Sequence, residues 1–450
     1  MAQAQTEPRL RVAVVGAGIS GLVTALCLAR HNDIEVTIYE SVARLAVVGA
    51  GIGFWPRIRE ILKELDIDDM LVKSAGAAAP TSKGTNYVCR KSDQPEGYVF
   101  YTIRTGGQLR LHRADFQKAL VSRLEEVGGA KVICSKRLVS YEDVAGAPVE
   151  LAFEDGTKAT CDLLIGADGI KSRVRLAMMD KLAADARDAA EADMFRQSAK
   201  LVWSGFVAYR VMLPAEKLRE RAPNHSLLKD CMLYTGANNN CIIGYTIQDG
   251  AQINIVIWTS NLAQEHGQFS GEWMGKAAKS EFAHLFQGWE SEVEVLLDCF
   301  EDDTLRWAIH VTKPTGLPTY THGRAALLGD AAHAMLAWQG SGAGQAVEDA
   351  WVLSHLIKDP RITRETLPAA LRVYDDVRRP FDINVQERSR VDGHLFVLNQ
   401  DWLNFGGSDE KDLLVRCGEG IQRDWEWLWT TSTKDMVRES LEMLEKELEA

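Results

Sequence analysis

The chain has little that would tie it to a metal, a membrane or a nucleic acid. Its eight cysteines stand at 27, 89, 134, 161, 231, 241, 299 and 417, with no CxxC and no ligand-like spacing. They read as reduced, mostly buried thiols and exclude a disulfide framework or zinc site. Ten histidines are equally dispersed, so no metal is expected. Positive charge is scarce: 51 Lys and Arg against 63 Asp and Glu leave a formal net charge of −12. That balance argues against a nucleic-acid or anionic-membrane partner, which would call for a basic excess. One uncharged stretch, Val12 to Ala29 behind Arg9 and Arg11, imitates a signal peptide or a membrane span. Its three glycines, with Ser20 and Thr24, make it a poor hydrocarbon helix, and no small-residue cleavage site follows. The expectation is a cytoplasmic protein with no membrane span.

What is present is an ordinary globular composition, 450 residues with 46% hydrophobic and 25% charged, and room for two or three domains. Twelve tryptophans are many; they serve either core packing or an aromatic-lined pocket. The most informative segment is Gly16-Ala17-Gly18-Ile19-Ser20-Gly21, placed between the apolar run Val12 to Val15 and a small-residue helical stretch. Nineteen residues beyond Gly21, after the apolar run Val36 to Tyr39, stands Glu40. Gly16 makes the tight turn, Gly18 admits a pyrophosphate, Gly21 lets helix and strand pack, and Glu40 receives a ribose hydroxyl. This is a dinucleotide-binding βαβ unit. The run Arg44 to Phe54 nearly repeats it, but Phe54 replaces the last glycine and Trp55-Pro56 follows. No second such unit is expected; Gly49, Gly51 and Gly53 suit a backbone passing close to a ligand.

Further along, Val149 to Phe153, a turn at Asp155-Gly156 and Ala159 to Ile165 read as a hairpin. Residues 180 to 200 read as a solvated helix. From 203 to 260 strands dominate, and nucleotide-type sequence returns at Arg324. The expected fold class is α/β, with a discontinuous Rossmann-type domain (9–80, 105–180 and 300–385). An antiparallel-sheet domain is inserted (81–104 and 200–299), and the tail (386–450) is helical.

Two further motifs join the first. Asp162 to Arg173 is a buried strand entering an Asp168-Gly169 turn, and Gly323 to His333 is a strand ending in Gly329-Asp330. The latter leads through Gly340-Ser-Gly342-Ala343-Gly344 into a helix whose N-terminal N–H groups suit an electron-rich ring edge. Together, over about Arg9 to Arg390, the three motifs resemble the FAD-dependent aromatic-ring hydroxylases, class A flavoprotein monooxygenases of the salicylate hydroxylase type. The resemblance implies FAD as cofactor, NADH or NADPH as reductant, and a small phenolic substrate hydroxylated with O2 through a C4a-hydroperoxyflavin. It implies that Glu40 holds the adenosine ribose, that Arg113 and Gln117 contact the cofactor, and that Asp330 holds the ribityl chain. Gly342 to Gly344, with Ala343 between, would face the isoalloxazine. Asp168 and Arg173 would serve the cofactor and the nicotinamide nucleotide, and Gly53 would lie at the ligand.

The chain departs from the family's pattern in two places. Ala337 and Trp338 stand where the family has Pro and His, and Pro56-Arg57 where it has Pro-Asn. An indole offers one donor, no base and a large apolar face. It favours an apolar or prenylated phenol, or a hydroxybenzoate whose polar end is held elsewhere. The strand Phe206 to Val211 puts Tyr209 and Arg210 on opposite faces, so only one can meet the substrate. The resemblance favours Arg210 binding the phenolate and Tyr245 hydrogen-bonding it, with Tyr209 as the substitute. His333 reads as a structural histidine that orients the Gly329-Asp330 turn. The rival readings are a flavin reductase or dehydrogenase, an epoxidase of the same fold, and a non-catalytic FAD-binding protein. A halogenase is disfavoured, because Trp425-Glu-Trp427-Leu-Trp429 lacks the Ile-Pro of that class. A homodimer is compatible with the sequence.

Overall fold

The computed structural model describes residues 7–45, 51–76, 86–248, 250–399, 403 and 409–449. Gly49 and the first residues of the expected inserted segment 81–104, 81–85, lie outside the described residues. Two sheets organise the chain. The first has six strands in the order Thr321–His322, Ala325–Leu327, Leu163–Gly166, Leu10–Val15, Ile34–Tyr39, Ala130–Ile133. All neighbours are parallel except the first pair. Parallel strands present their carboxyl ends at one edge. Gly16, Glu40, Asp168 and Asp330, far apart in sequence, therefore follow strands that end side by side, where open α/β sheets bind ligands.

The helix Ile19–Leu28 rises from the first strand with all ten residues buried, which explains its small, uncharged composition. Gly16 adopts φ +105°, and a Cβ there would meet the Ala167 carbonyl oxygen at 2.3 Å. A Cβ on Gly21 would lie 2.0 Å from the Gly16 carbonyl. Both positions need glycine, one for conformation and the other for close approach.

The second sheet has eight strands in the order Met274–Ala277, Thr304–Thr312, Leu201–Pro214, Gln252–Ser260, Cys241–Ile247, Cys231–Thr235, Asn86–Lys91, Tyr98–Arg104. It is antiparallel but for one pair, Cys231–Thr235 beside Asn86–Lys91. Alternation divides its faces. Ile253, Ile255, Ile257 and Tyr209 join a core with Phe282, Phe286 and Leu296 on covering helices. Asn254, Val256, Trp258 and Arg210 point to the other side, toward the first domain.

The hairpin divides differently from the sequence reading. Val149–Phe153 pairs with Lys158–Cys161, whereas Leu163–Gly166 leaves to join the six-stranded sheet. Residues 180–200 hold the end of the helix Arg173–Ala184 and a separate helix, Ala189–Ser198. The strand Thr304–Thr312, expected in the first domain, pairs along Leu201–Pro214 and belongs to the second sheet. No turn or motif between 300 and 323 marks which sheet such a strand joins; only long-range pairing decides it. The tail is helical as expected, with Glu410–Trp425 and Thr433–Glu449 packed back on the body. Among the described residues no helix is long and apolar enough to cross a membrane.

Candidate active site

Two clefts meet at the glycine turn. One, of about 810 Å³, is lined by Gly16, Glu40, Asp168 and several cations. The other, of about 350 Å³, lies between the two sheets and is lined by Arg113, Asp330, Gly342 and Ala343 on one side and Arg210 and Tyr245 on the other. Gly18, Ala167 and Gly169 line both, so an extended ligand can run from Glu40 to the helix Gly342–Ile357. That continuity, with a helix N-terminus at each bend, fits FAD.

Local chemistry sets each wall. The Glu40 carboxylate accepts the Ala17 N–H at 2.7 Å and the Val42 N–H at 3.0 Å, which fixes it beside the turn. Gln117 donates to the Ala17 carbonyl at 3.3 Å. Arg113 opens its helix and lines the cavity. Asp168 turns inward: its carboxylate accepts from Ser172 Oγ at 2.5 Å and from the N–H groups of Arg173 and Val174 at 2.6 and 3.2 Å. It caps the helix that follows, and the Arg173 side chain stays exposed. Asp330 is open to the cavity, and Gly53 lies in the short strand Gly51–Phe54 on its wall.

His333 is wholly buried, with Nε2 2.6 Å from Asp349, whose same oxygen accepts the Gly329 N–H at 2.9 Å. The pair thus holds the turn that presents Asp330. Burial opposes a charge on His333, but the carboxylates of Asp382 and Asp349 outweigh it and raise its pKa to about 9. His333, Asp349 and Asp382 converge as metal ligands would. The cation's place is filled, however, by Arg378, which donates to Asp349 at 2.8 Å and to Asp382 at 2.6 Å. Arg57, standing where the family has Asn, extends this cluster with two 2.9 Å hydrogen bonds to Glu348.

On the sheet side Tyr209 packs on Phe282, ring centroids 4.7 Å apart, in the core away from the cavity. Arg210 and Tyr245 both line the cavity. The Arg210 guanidinium sits 5.5 Å from the Trp307 ring, its Nε is buried without a hydrogen-bond partner, and burial lowers its pKa. Burial raises the pKa of Tyr245, while Arg110, stacked 5.1 Å from its ring, and Arg210 pull it down. Trp338 is 3% exposed and packs on Trp258 at 4.5 Å, Phe206 at 5.3 Å and Phe396 at 5.2 Å while lining the cavity. Sequence reasoning missed Arg110, Asn254, Tyr87, Phe396 and Trp425 as parts of this region. Asn254 alone carried a signal, a polar residue between Ile253 and Ile255.

A mostly parallel sheet with a dinucleotide-type glycine turn at its carboxyl edge, facing a second sheet that lines the same cleft with aromatic side chains and arginine, defines the class as a flavoprotein. The comparisons narrow this. The family model described as "FAD binding domain" matches residues 9–219 and 264–389, and the chain belongs to that family. It is 35% identical over 429 residues to a salicylate hydroxylase of Pseudomonas putida, covering 94% of this chain and 92% of the relative. It is 29% identical over 447 residues to the 6-methylsalicylate 1-monooxygenase of Aspergillus terreus, covering 97% and 92%. The solved salicylate hydroxylase substrate complex superposes with a TM-score of 0.80 at 30% identity, covering 96% and 98%. The chain is an FAD-dependent monooxygenase of the aromatic-hydroxylase type.

Proposed function

We propose that the chain hydroxylates a phenol or hydroxybenzoate bound as its anion, with the anionic oxygen on Arg210 and Tyr245. The observation that carries this reading is the buried Arg210 Nε, without an acceptor among the described residues, in a cavity that Trp258, Trp338, Phe396 and Trp425 also line. A desolvated cation without a carboxylate stabilises an incoming anion more than water does. The likeness to relatives named for salicylate and 6-methylsalicylate supports the same substrate class.

Bound FAD supplies the redox chemistry that, with NAD(P)H, activates O2. The chain's residues do the rest. Glu40, Asp330 and the N–H groups at Gly342 and Ala343 would hold and orient it. Arg210 and Tyr245 would polarise the substrate toward phenolate, which enriches the ring in electrons. The indole and phenyl walls exclude water, the protein's main contribution to oxygen transfer. Lys171, Arg173 and Lys200, with Trp273 5.0 Å from the Lys171 ammonium, line the outer cleft of a chain whose net charge is negative. They suit the phosphates of the nicotinamide nucleotide.

A panel of salicylate, alkyl-substituted salicylates, hydroquinones and prenylated phenols tests the reading through NAD(P)H consumption with product identification. Oxygen-dependent hydroxylation is expected, with apolar substituents improving kcat/KM because Trp338 replaces an imidazole. Failure of every anionic phenol to yield an oxygenated product overturns it.

A further inference from the structure

We propose that Asp392, lying behind the cavity and outside the matched family region, is a positioning residue that keeps the substrate wall dry in its protonated form and draws water behind it on ionisation. The wall is the loop Leu336 to Gly340, which carries Trp338. One face of the helix Leu367–Phe396 grips it through residues three and four apart, Ser389, Asp392 and Gly393. Ser389 Oγ donates to the Leu336 carbonyl at 2.7 Å. Gly393 leaves room for the Trp338 indole, since a Cβ there would lie 2.4 Å from its Nε1. Asp392 Oδ2 accepts from Gln339 Nε2 at 2.8 Å and from Trp425 Nε1 at 3.0 Å. The Gln339 carbonyl in turn accepts from Trp55 Nε1 at 2.9 Å. One carboxyl therefore ties the loop to the tail helix.

The surroundings of that carboxyl suit an acid better than an anion. Asp392 is fully buried, and among the described residues its Oδ1 and the Gln339 Oε1 both lack partners. Two neutral N–H donors do not offset the dehydration of a carboxylate. The charged groups facing it are Asp424 on the tail helix, which opposes ionisation, and Arg388 on its own helix, which favours it; the loop and Trp55 offer none. Burial is the larger influence and pushes the pKa to about 8. Above that pH an uncompensated anion sits behind Trp338. Hydrating it draws water to the loop and opens a wall whose task is to exclude water.

Two overall reactions compete in such an enzyme. In the coupled one, substrate, O2, NAD(P)H and a proton give hydroxylated product, water and NAD(P)+. In the uncoupled one, O2, NAD(P)H and a proton give H2O2 and NAD(P)+. A loosened wall shifts flux to the second. The inference rests on the monooxygenase reading, so one arm of the test is independent of turnover.

The experiment uses the FAD-loaded chain and compares wild type, Asp392→Asn and Asp392→Leu. Infrared difference spectroscopy should show a protonated carboxyl band in wild type that disappears across pH 8 and is missing from both variants. With the best phenol of the panel, product formed per NAD(P)H should fall severalfold in wild type between pH 7 and 9, where ionisation reaches about ten to one. Asp392→Asn, which mimics the neutral acid, should hold its ratio over that range. Asp392→Leu, which cannot accept from Gln339 or Trp425, should be uncoupled throughout. A missing band, or a decline in Asp392→Asn equal to that of wild type, overturns the proposal. Should Asp392→Asn fail to fold, the infrared titration of wild type alone decides.

Discussion

Replacing Arg210 with Met separates binding from stability at one position, because the structure gives the two effects different magnitudes. Among the described residues the guanidinium has no carboxylate partner, and it rests 5.5 Å from the Trp307 ring. Losing that cation–π contact costs about 0.5–2 kcal/mol. Removing a desolvated, unpaired charge returns a comparable amount, so folding stability should move by no more than about 1 kcal/mol either way. An anionic substrate, by contrast, loses a charge-assisted hydrogen bond worth about 1.5–3 kcal/mol. That corresponds to roughly a ten- to 150-fold weaker Kd. Binding is read from the perturbation of flavin absorbance at constant FAD occupancy, and stability from urea unfolding of the same preparation. A neutral analogue with the hydroxyl methylated should lose far less affinity. Unchanged Kd for the anion, or a stability loss beyond about 3 kcal/mol, would refute the reasoning and make Arg210 a structural cation.

Gly16→Ala should abolish FAD loading, measured as flavin per chain after reconstitution, since its Cβ would meet the Ala167 carbonyl at 2.3 Å and has no room to move. Arg57→Met should destabilise by about 1.5–3 kcal/mol in urea titration, because the buried Glu348 loses two charge-assisted hydrogen bonds and keeps only the longer contacts with Arg378 and Gln345 at 3.3 Å. For His333 the folded pKa of about 9 lies above the free imidazole's, so its stabilisation is full below about pH 6.5 and is lost as pH rises through 9. His333→Gln should be less stable at neutral pH and should lack that part of the alkaline decline.

Much of the first domain was legible because its signals are local. Val12 to Val15, the glycine turn, Val36 to Tyr39 and Glu40 each announce themselves within a few residues, and they meet at one sheet edge. Arg210 stood out through alternation along its strand together with the family resemblance, Tyr245 through the resemblance alone, and both line one cavity. The strand Thr304–Thr312, the Arg57–Glu348 pair and Asp392 carried no such mark. Each draws its meaning from a partner dozens to hundreds of residues away, and no local period encodes that distance. Trp425 illustrates the difference: its Trp-x-Trp pattern drew attention to halogenases, while its actual neighbours are Trp55, Tyr87 and Phe396.

The ion cluster beneath the cofactor helix also bears on how the chain is made. Arg57 and Glu348 lie 291 residues apart. A ribosome adding about 5–20 residues each second needs roughly 15–60 s to bridge that interval. The central strand Leu10–Val15 can pair with Ile34–Tyr39 early in synthesis, but Ala325–Leu327 reaches the sheet only near the end. For most of translation the first domain is thus an open sheet with an unpaired guanidinium beside it. The inserted sheet must form while that half-built domain waits, which leaves the flavin site incomplete until Ala325–Leu327 and the helix after it have been made.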